Sequence, residues 1–62
     1  KSYFGRIWAY KIIWNNLSDH GVLISDDISD NMAFLHFANS ILIKPYIIKY
    51  RNKFIGVLFK KI

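Results

Sequence analysis

Apolar residues in the first third of the chain recur at alternating spacings of four and three, which is typical of one face of a helix. This first stripe consists of Tyr3, Ile7, Tyr10, Trp14 and Leu17. A second apolar stripe consists of Phe4, Trp8 and Ile12. The pattern predicts a helix over residues 3–17, and because apolar groups lie on two of its sides we expect it to pack between other elements.

Two later apolar runs have the length of strands. The first, over residues 22–24, is continuous, and such runs are typical of strands that are covered on both faces in parallel sheets. It predicts a strand over residues 21–25. A polar turn at residues 51–53 precedes the second run, which predicts a strand over residues 54–59. Residues 46–50 favour neither a helix nor a strand.

Helical spacing returns between the two predicted strands. The apolar positions there are Phe34, Leu35, Ala38, Ile41 and Leu42. They predict a helix over residues 31–44, which Pro45 ends because proline disfavours helix in the residue before it. The candidate N-cap residues are Ser29, Asp30 and Asn31.

The order helix, strand, helix, strand predicts an α/β fold. Strands that alternate with helices of this length are expected to pair in parallel, through a right-handed crossover. The expected architecture is therefore part of a Rossmann-like sheet, in which a first helix precedes one strand-helix-strand unit.

Composition adds that the chain carries much apolar surface for its size. The 62 residues are 53% hydrophobic and 18% aromatic and include no cysteine. A chain of this length buries only about 60% of its unfolded surface, and no disulfide is available to support a thin core. The sequence begins at Lys1 without a methionine. We expect residues 1–62 to be a single fragment of a larger protein.

Charge is distributed unevenly along the chain. The four acidic residues lie within twelve positions, at Asp19, Asp26, Asp27 and Asp30, whereas the nine basic residues lie outside that stretch and give a net charge of +5. This balance favours partners that carry phosphate, but the basic residues are split between the two ends, so no nucleic-acid partner is expected. No apolar run reaches the length of a membrane span, which needs about 18 residues. The expected location is cytoplasmic or membrane-peripheral.

The adjacent carboxylates of Asp26 and Asp27 are the candidate functional site. They follow the first predicted strand and precede a helix, and ligands of open α/β sheets bind beyond the carboxyl ends of the strands. Adjacent carboxylates repel each other, and a hard divalent cation such as Mg²⁺ or Mn²⁺ removes that repulsion. The pair therefore predicts a metal site, with diphosphate oxygens completing the metal's shell.

The residues around this pair form a longer pattern. GVLI at 21–24 leads without a gap into SDDI at 25–28, SDNMA at 29–33 and FLHF at 34–37, and Ile-Leu-Ile-Lys follows at 41–44. From Ala9 to Lys44 the chain resembles the central segment of GT-A-type nucleotide-diphospho-sugar glycosyltransferases. It is most similar to those whose metal motif reads Glu-Asp-Asp after an apolar strand.

The resemblance implies roles for three residues. Asp27 would bind Mn²⁺ or Mg²⁺ directly, and Asp26 would contribute to the same metal site, either beside the nucleotide ribose or in the water shell of the metal. Ser25 replaces the glutamate of the family and, with Asp26, would belong to the nucleotide-sugar-binding site. Serine lacks the charge of glutamate, which implies weaker metal or nucleotide affinity, or an inactive copy.

The resemblance also implies a reaction for the parent protein. A metal-dependent glycosyltransferase transfers a sugar from a nucleotide-diphosphate donor to a saccharide or another hydroxyl acceptor. The catalytic base and the acceptor site of the family lie outside these 62 positions. The isolated chain is therefore expected to carry the metal-binding corner of such an enzyme and not to be active alone.

Other interpretations remain open for the acidic residues and for the chain. Asp26 and Asp27 also fit a solvated turn that caps the next helix, and Asp30 fits an N-cap better than a ligand. His20 and His36 have neither zinc-site spacing nor a cysteine partner. A rival function is that of a small cationic membrane-active, bacteriocin-like or interaction peptide, since tryptophan and tyrosine favour bilayer interfaces. A third possibility is a purely structural module.

Overall fold

The computed structural model of the chain describes residues 2–61, so Lys1 and Ile62 lie outside it. Two α-helices, a short 3₁₀ turn and three strands follow one another along the chain. They are α1 (Tyr3–Asn16), β1 (Val22–Ser25), the 3₁₀ turn (Ile28–Asp30), α2 (Ala33–Ser40), β2 (Tyr46–Tyr50) and β3 (Lys53–Phe59). The first helix ends within one residue of the predicted range 3–17.

Helix α1 begins and ends at identifiable hydrogen bonds. The hydroxyl of Ser2 accepts from the amide of Gly5 at 2.9 Å, which satisfies one of the free N–H groups of the first turn. At the other end, Nζ of Lys60 donates to the carbonyl oxygens of Trp14 and Leu17, at 2.6 and 2.9 Å. A cation at a helix C-terminus stabilises the unpaired carbonyl groups there.

The two apolar stripes of α1 have different surroundings. Tyr10 of the first stripe is buried, and the other four members of that stripe pack partly buried against the core. The second stripe is exposed: Phe4, Trp8 and Ile12 are 80%, 68% and 42% accessible. Within the described residues the chain covers α1 on one side only, so packing of a further element on its second side stays a prediction.

The sheet is antiparallel, with strand order β1-β3-β2. The predicted parallel, Rossmann-like helix-strand-helix-strand unit is therefore wrong. The prediction took the continuous apolar run over residues 22–24 as a sign of burial on both faces. In the structure Leu23 and Ser25 face the helices and are buried, whereas Val22 and Ile24 are 41% and 68% exposed on the opposite face.

Residues 46–50, which the sequence left undecided, form β2. This strand pairs with β3 across a turn of only two residues, Arg51 and Asn52, in the register Tyr50↔Lys53 and Ile48↔Ile55. Two strands joined by so short a turn can only be antiparallel. β1 pairs with the other edge of β3, so β3 lies in the middle of the sheet, between β1 and β2.

Helix α2 is shorter than the predicted range 31–44. It stops because Leu42 adopts a left-handed backbone (φ 58°), with the amide of Ile43 bonded to the carbonyl of Ala38 and that of Leu42 bonded to Asn39. These two bonds define a Schellman motif, in which glycine is the usual left-handed residue. At the other end, Oδ1 of Asn31 accepts from the amide of Ala33 at 2.9 Å.

The core lies between the two helices and one face of the sheet. Its buried apolar members are Tyr10, Leu23, Ile28, Ala33, Phe34, Phe37, Ala38 and Leu58. The ring of Phe34 lies directly on Gly56 of β3, where an added Cβ would overlap the ring. Glycine at this position therefore permits the close contact between α2 and the sheet.

Candidate cation-binding loop

The loop that carries Asp26 and Asp27 begins where β1 ends. Ser25, the last residue of β1, pairs with Gly56, the middle residue of β3. Because β1 and β3 are antiparallel, this register brings the loop to the end of the sheet where the β2–β3 turn also lies. The carboxylates thus lie at an end of the sheet. This end is that of an antiparallel sheet, whereas the sequence predicted the carboxyl ends of parallel strands.

Arg6 of α1 holds the backbone of this loop. Its Nη1 donates to the carbonyl oxygen of Asp26 and its Nη2 to that of Asp27, each at 3.3 Å. Nη2 also lies 3.5 Å from Oδ2 of Asp30, and these two residues form an ion pair. These distances are at the long end for hydrogen bonds, so each is weak alone, but together they tie three successive parts of the loop to one side chain.

Arg6 is a cation in a largely covered position. Its side chain is 12% exposed, and its Nε is buried without an acceptor among the described residues. Nη1 also donates to the hydroxyl of Tyr10 at 3.1 Å, one turn further along the helix. This hydrogen bond raises the pKa of Arg6 while desolvation opposes the rise, and the guanidinium is charged at neutral pH.

Ser25 and Tyr10 anchor the start of the loop inside the core. Their hydroxyl oxygens lie 2.7 Å apart, and both residues are buried, at 7% and 5% exposure. The Ser25 hydroxyl is also 3.5 Å from Nη1 of Arg6. The strand end is therefore fixed by a small buried polar cluster of Arg6, Tyr10 and Ser25.

Neither carboxylate of the pair is hydrogen-bonded to this cluster in the described residues, although the charge of Asp27 contributes to the raised pKa of Arg6. Asp26 is exposed and Asp27 is half-buried, and neither forms an ion pair within the described part of the chain. The contact made by the Asp27 carboxylate is a long one, 3.4 Å from the hydroxyl of Ser29. Asp27 itself has a left-handed backbone (φ 54°, ψ 54°), a conformation that aspartate tolerates better than most residues. Within residues 2–61 the loop therefore presents two carboxylates that form no ion pair.

The carboxylates of Asp26 and Asp27 fit a metal site that is completed by water and substrate oxygens, and they do not fit a site enclosed by protein side chains alone. Residues 2–61 contain no group of three or more histidine, cysteine, aspartate or glutamate side chains that could enclose an ion. Two carboxylates match the way in which Mg²⁺ is bound by one or two carboxylates, with waters and substrate phosphates as its other ligands. Binding of Mn²⁺ or Mg²⁺ by Asp26 and Asp27 stays a prediction, as does contact of Ser25 and Asp26 with a nucleotide sugar.

The other candidate side chains make contacts of their own and do not join the Asp26–Asp27 pair. Asp30 is in the 3₁₀ turn and pairs with Arg6, while Asn31 makes the cap bond to α2. His20 lies in the turn before β1, where its amide donates to the carbonyl of Lys60, and Nδ1 of His36 is 2.8 Å from the Tyr3 hydroxyl. The two histidines therefore belong to different parts of the surface.

Arg6 is the part of the site that the sequence did not identify. It lies three residues after Tyr3 and four before Tyr10, and therefore on the stripe of α1 that faces the core. A cation on a buried stripe requires hydrogen-bond acceptors because an unpaired buried charge is costly. The position of Arg6 was thus a signal that some acidic or carbonyl-rich loop would pack against α1.

Comparison of the chain with protein-family models, with curated proteins and with solved structures yields no significant match. Among residues 2–61, neither helix has the length and apolar character needed to cross a bilayer.

Proposed function

We propose that the loop of Asp26 and Asp27 binds a divalent cation, Mn²⁺ or Mg²⁺, as the metal-binding corner of a glycosyltransferase. The parent enzyme would transfer a sugar from a nucleotide-diphosphate donor to a saccharide or another hydroxyl acceptor. The observation that carries the proposal is that Arg6 binds the backbone carbonyls of the loop, while within residues 2–61 neither carboxylate forms an ion pair. The sequence resemblance between Ala9 and Lys44 adds the choice of reaction.

The arrangement supports the proposal because the backbone of the loop is held by Arg6 while its two carboxylates are left for a ligand. Arg6 donates to the Asp30 carboxylate and to the carbonyl oxygens of Asp26 and Asp27, and not to the carboxylates of Asp26 and Asp27. The backbone is thereby held in position before any ligand binds, so binding does not have to order it. A bound metal would act as a Lewis acid that stabilises negative charge on a leaving diphosphate.

Ser25 supports the site in this proposal by fixing the start of the loop, and its contact with a nucleotide sugar stays a prediction. Its hydroxyl is buried against Tyr10, on the face of the sheet that the helices cover. The hydroxyl of Ser25 therefore positions the loop, while Asp26 and Asp27 supply the ligand atoms. The charge that the family's glutamate would add beside Arg6 is absent from this chain.

A test counts free Mn²⁺ by its electron paramagnetic resonance signal during titration with the chain. The expected result is a loss of signal with the unsubstituted chain, strengthened by uridine diphosphate, and about ten-fold weaker binding for Asp26→Asn and Asp27→Asn. Asp19→Asn is the matched control, because Asp19 lies in the turn before β1. Equal binding by all four chains would contradict the proposal.

A second candidate function is that of a cationic membrane-active peptide. The exposed stripe of α1 favours it, because Phe4 and Trp8 are 80% and 68% accessible and aromatic side chains partition into bilayer interfaces. Leakage of dye from vesicles that contain anionic lipid tests this function. Leakage that disappears in Trp8→Gln would support it, and intact vesicles at micromolar chain concentrations would exclude it.

A further inference from the structure

We propose that the β2–β3 turn is a phosphate-binding site that faces the Asp26 carboxylate and takes the diphosphate of a metal-bound donor. This inference rests on the proposed function and adds a second, cationic wall to the same site. The residues that carry it are Tyr50, Arg51 and Lys53, none of which the sequence pattern or the resemblance assigned to a function.

The first observation is a shared cavity. Asp26 and the hairpin residues 50–53 line one cavity of about 420 Å³ at the end of the sheet. Side chains alternate between the faces of a strand, and Leu23, Ser25 and Gly56 face the helices. Asp26, Tyr50 and Lys53 therefore lie on the opposite, uncovered face, where a ligand has free access.

The second observation is that the two walls of the cavity carry opposite charges. Neither Arg51 nor Lys53 forms an ion pair with Asp26 in the part of the chain that the structure describes, although all three line the cavity. One wall thus carries an unpaired carboxylate and the other carries two cations. A metal–diphosphate complex has the matching pattern, because its cation faces the carboxylate and its phosphate oxygens face the cations.

The third observation is the backbone of the turn. Arg51 has a left-handed conformation (φ 57°) at a position where glycine, asparagine or aspartate is usual, and Asn52 stands one position further on. Asp27 beside the cavity is left-handed as well. Left-handed residues other than glycine cost energy and concentrate at binding sites. An arginine here gains nothing for the turn itself, so its side chain is the reason to place it.

Tyr50 orients that side chain. The guanidinium carbon of Arg51 lies 5.3 Å from the centre of the Tyr50 ring, within the range of a cation–π contact. Stacking on the ring leaves the N–H groups at the guanidinium edge free, and that edge is the part of arginine that binds phosphate in a bidentate manner.

The test titrates isotope-labelled chain with pyrophosphate in the absence of metal, by NMR. The expected result is that the amides of residues 50–53 shift first, and that Arg51→Gly and Lys53→Gln each weaken binding about ten-fold. Arg51→Gly should at the same time raise the melting temperature, because glycine relieves the left-handed turn. Lys11→Gln on α1 is the matched control for loss of one positive charge.

The variant Asp26→Asn distinguishes a failure of the phosphate site from a failure of the proposed metal site. Without its carboxylate the cavity repels pyrophosphate less, so metal-free binding should strengthen while Mn²⁺ binding weakens. Uniform shifts at all basic residues, or unchanged pyrophosphate binding by Arg51→Gly, would overturn the phosphate site. Failure of Mn²⁺ to bind, with pyrophosphate still at residues 50–53, would overturn the proposed function and leave a metal-independent phosphate site.

Discussion

The hydroxyl oxygens of Tyr10 and Ser25 lie 2.7 Å apart in the core, and this contact joins the middle of α1 to the end of β1. Arg6 completes the cluster from the same side of the helix, at 3.1 Å from the Tyr10 hydroxyl. The position of the Asp26–Asp27 loop therefore depends on a polar contact between a helix and a strand end, and not on the loop's own sequence alone.

Tyr10→Phe is expected to lower the free energy of unfolding by about 1–2 kcal/mol, because the buried Ser25 hydroxyl and Arg6 each lose a partner. The control is Tyr3→Phe, which removes an exposed hydroxyl bonded to His36 and should cost less than about 0.5 kcal/mol. Urea unfolding followed by tryptophan fluorescence measures both. Equal losses in the two variants would contradict a structural role for the buried contact.

Gly56→Ala tests the contact between α2 and the sheet. A methyl group at Gly56 would overlap the ring of Phe34, so a loss of about 1–3 kcal/mol in unfolding free energy is expected. Adding Phe34→Leu should recover part of that loss, because the smaller side chain frees space. Gly5→Ala is the matched control; its Cβ would meet only the movable Ser2 hydroxyl. If the double variant loses as much unfolding free energy as the two single variants together, overlap with the Phe34 ring is not the cause of the loss in Gly56→Ala.

Leu42→Gly is expected to stabilise the chain by about 0.5–1 kcal/mol. Leu42 is 89% exposed and left-handed, so its side chain contributes little and its Cβ strains the backbone. Leu35→Gly is the control, because Leu35 lies in the interior of α2, where glycine costs about 1 kcal/mol. Thermal unfolding measured by circular dichroism should move in opposite directions for the two variants, and a shared direction would refute the assigned end of α2.

Lys60→Met tests the cation at the C-terminus of α1. Methionine keeps most of the apolar stem but loses both hydrogen bonds to the helix carbonyls, for an expected loss of about 1–2 kcal/mol. Lys61→Met, at the neighbouring exposed position, should change the unfolding free energy by less than about 0.5 kcal/mol. Amide exchange at residues 14–17 reports the same contact locally and should accelerate in Lys60→Met alone.

The sequence predicted helices well because each of them has a periodic apolar face. The range of α1 follows from the stripe that includes Tyr10 and Trp14, and that stripe does face the core. The end of α2 was placed too late because helical spacing continues to Leu42, whereas the backbone there is already left-handed. Nothing in a leucine side chain indicates a left-handed residue.

The direction of the strands could not be read from their apolar runs. A run that is apolar on both faces indicates a buried strand only if enough chain is available to cover both faces. Here the outer face of the sheet, which includes Ile24 and Ile48, is exposed. The useful signal was the two-residue spacing at Arg51-Asn52 between two β-type runs, which predicts a hairpin and hence an antiparallel sheet.

Part of the candidate site was visible in the sequence. The location of Asp26 and Asp27 at the end of a strand agrees with the structure. The contacts of Arg6 with the loop, and the closeness of the hairpin turn to Asp26, join residues that are far apart in the chain. The periodicity of apolar residues does not indicate such contacts.

A manganese titration of the isotope-labelled chain, followed by NMR, is the direct test of whether Asp26 and Asp27 bind a divalent cation. Paramagnetic Mn²⁺ broadens only nearby signals, so it detects weak binding and locates it in one experiment. We expect that amides of residues 25–28 broaden first, that those of Asp19 and its neighbours do not, and that uridine diphosphate sharpens this preference. Broadening spread evenly over the folded chain, or centred elsewhere, would contradict this expectation.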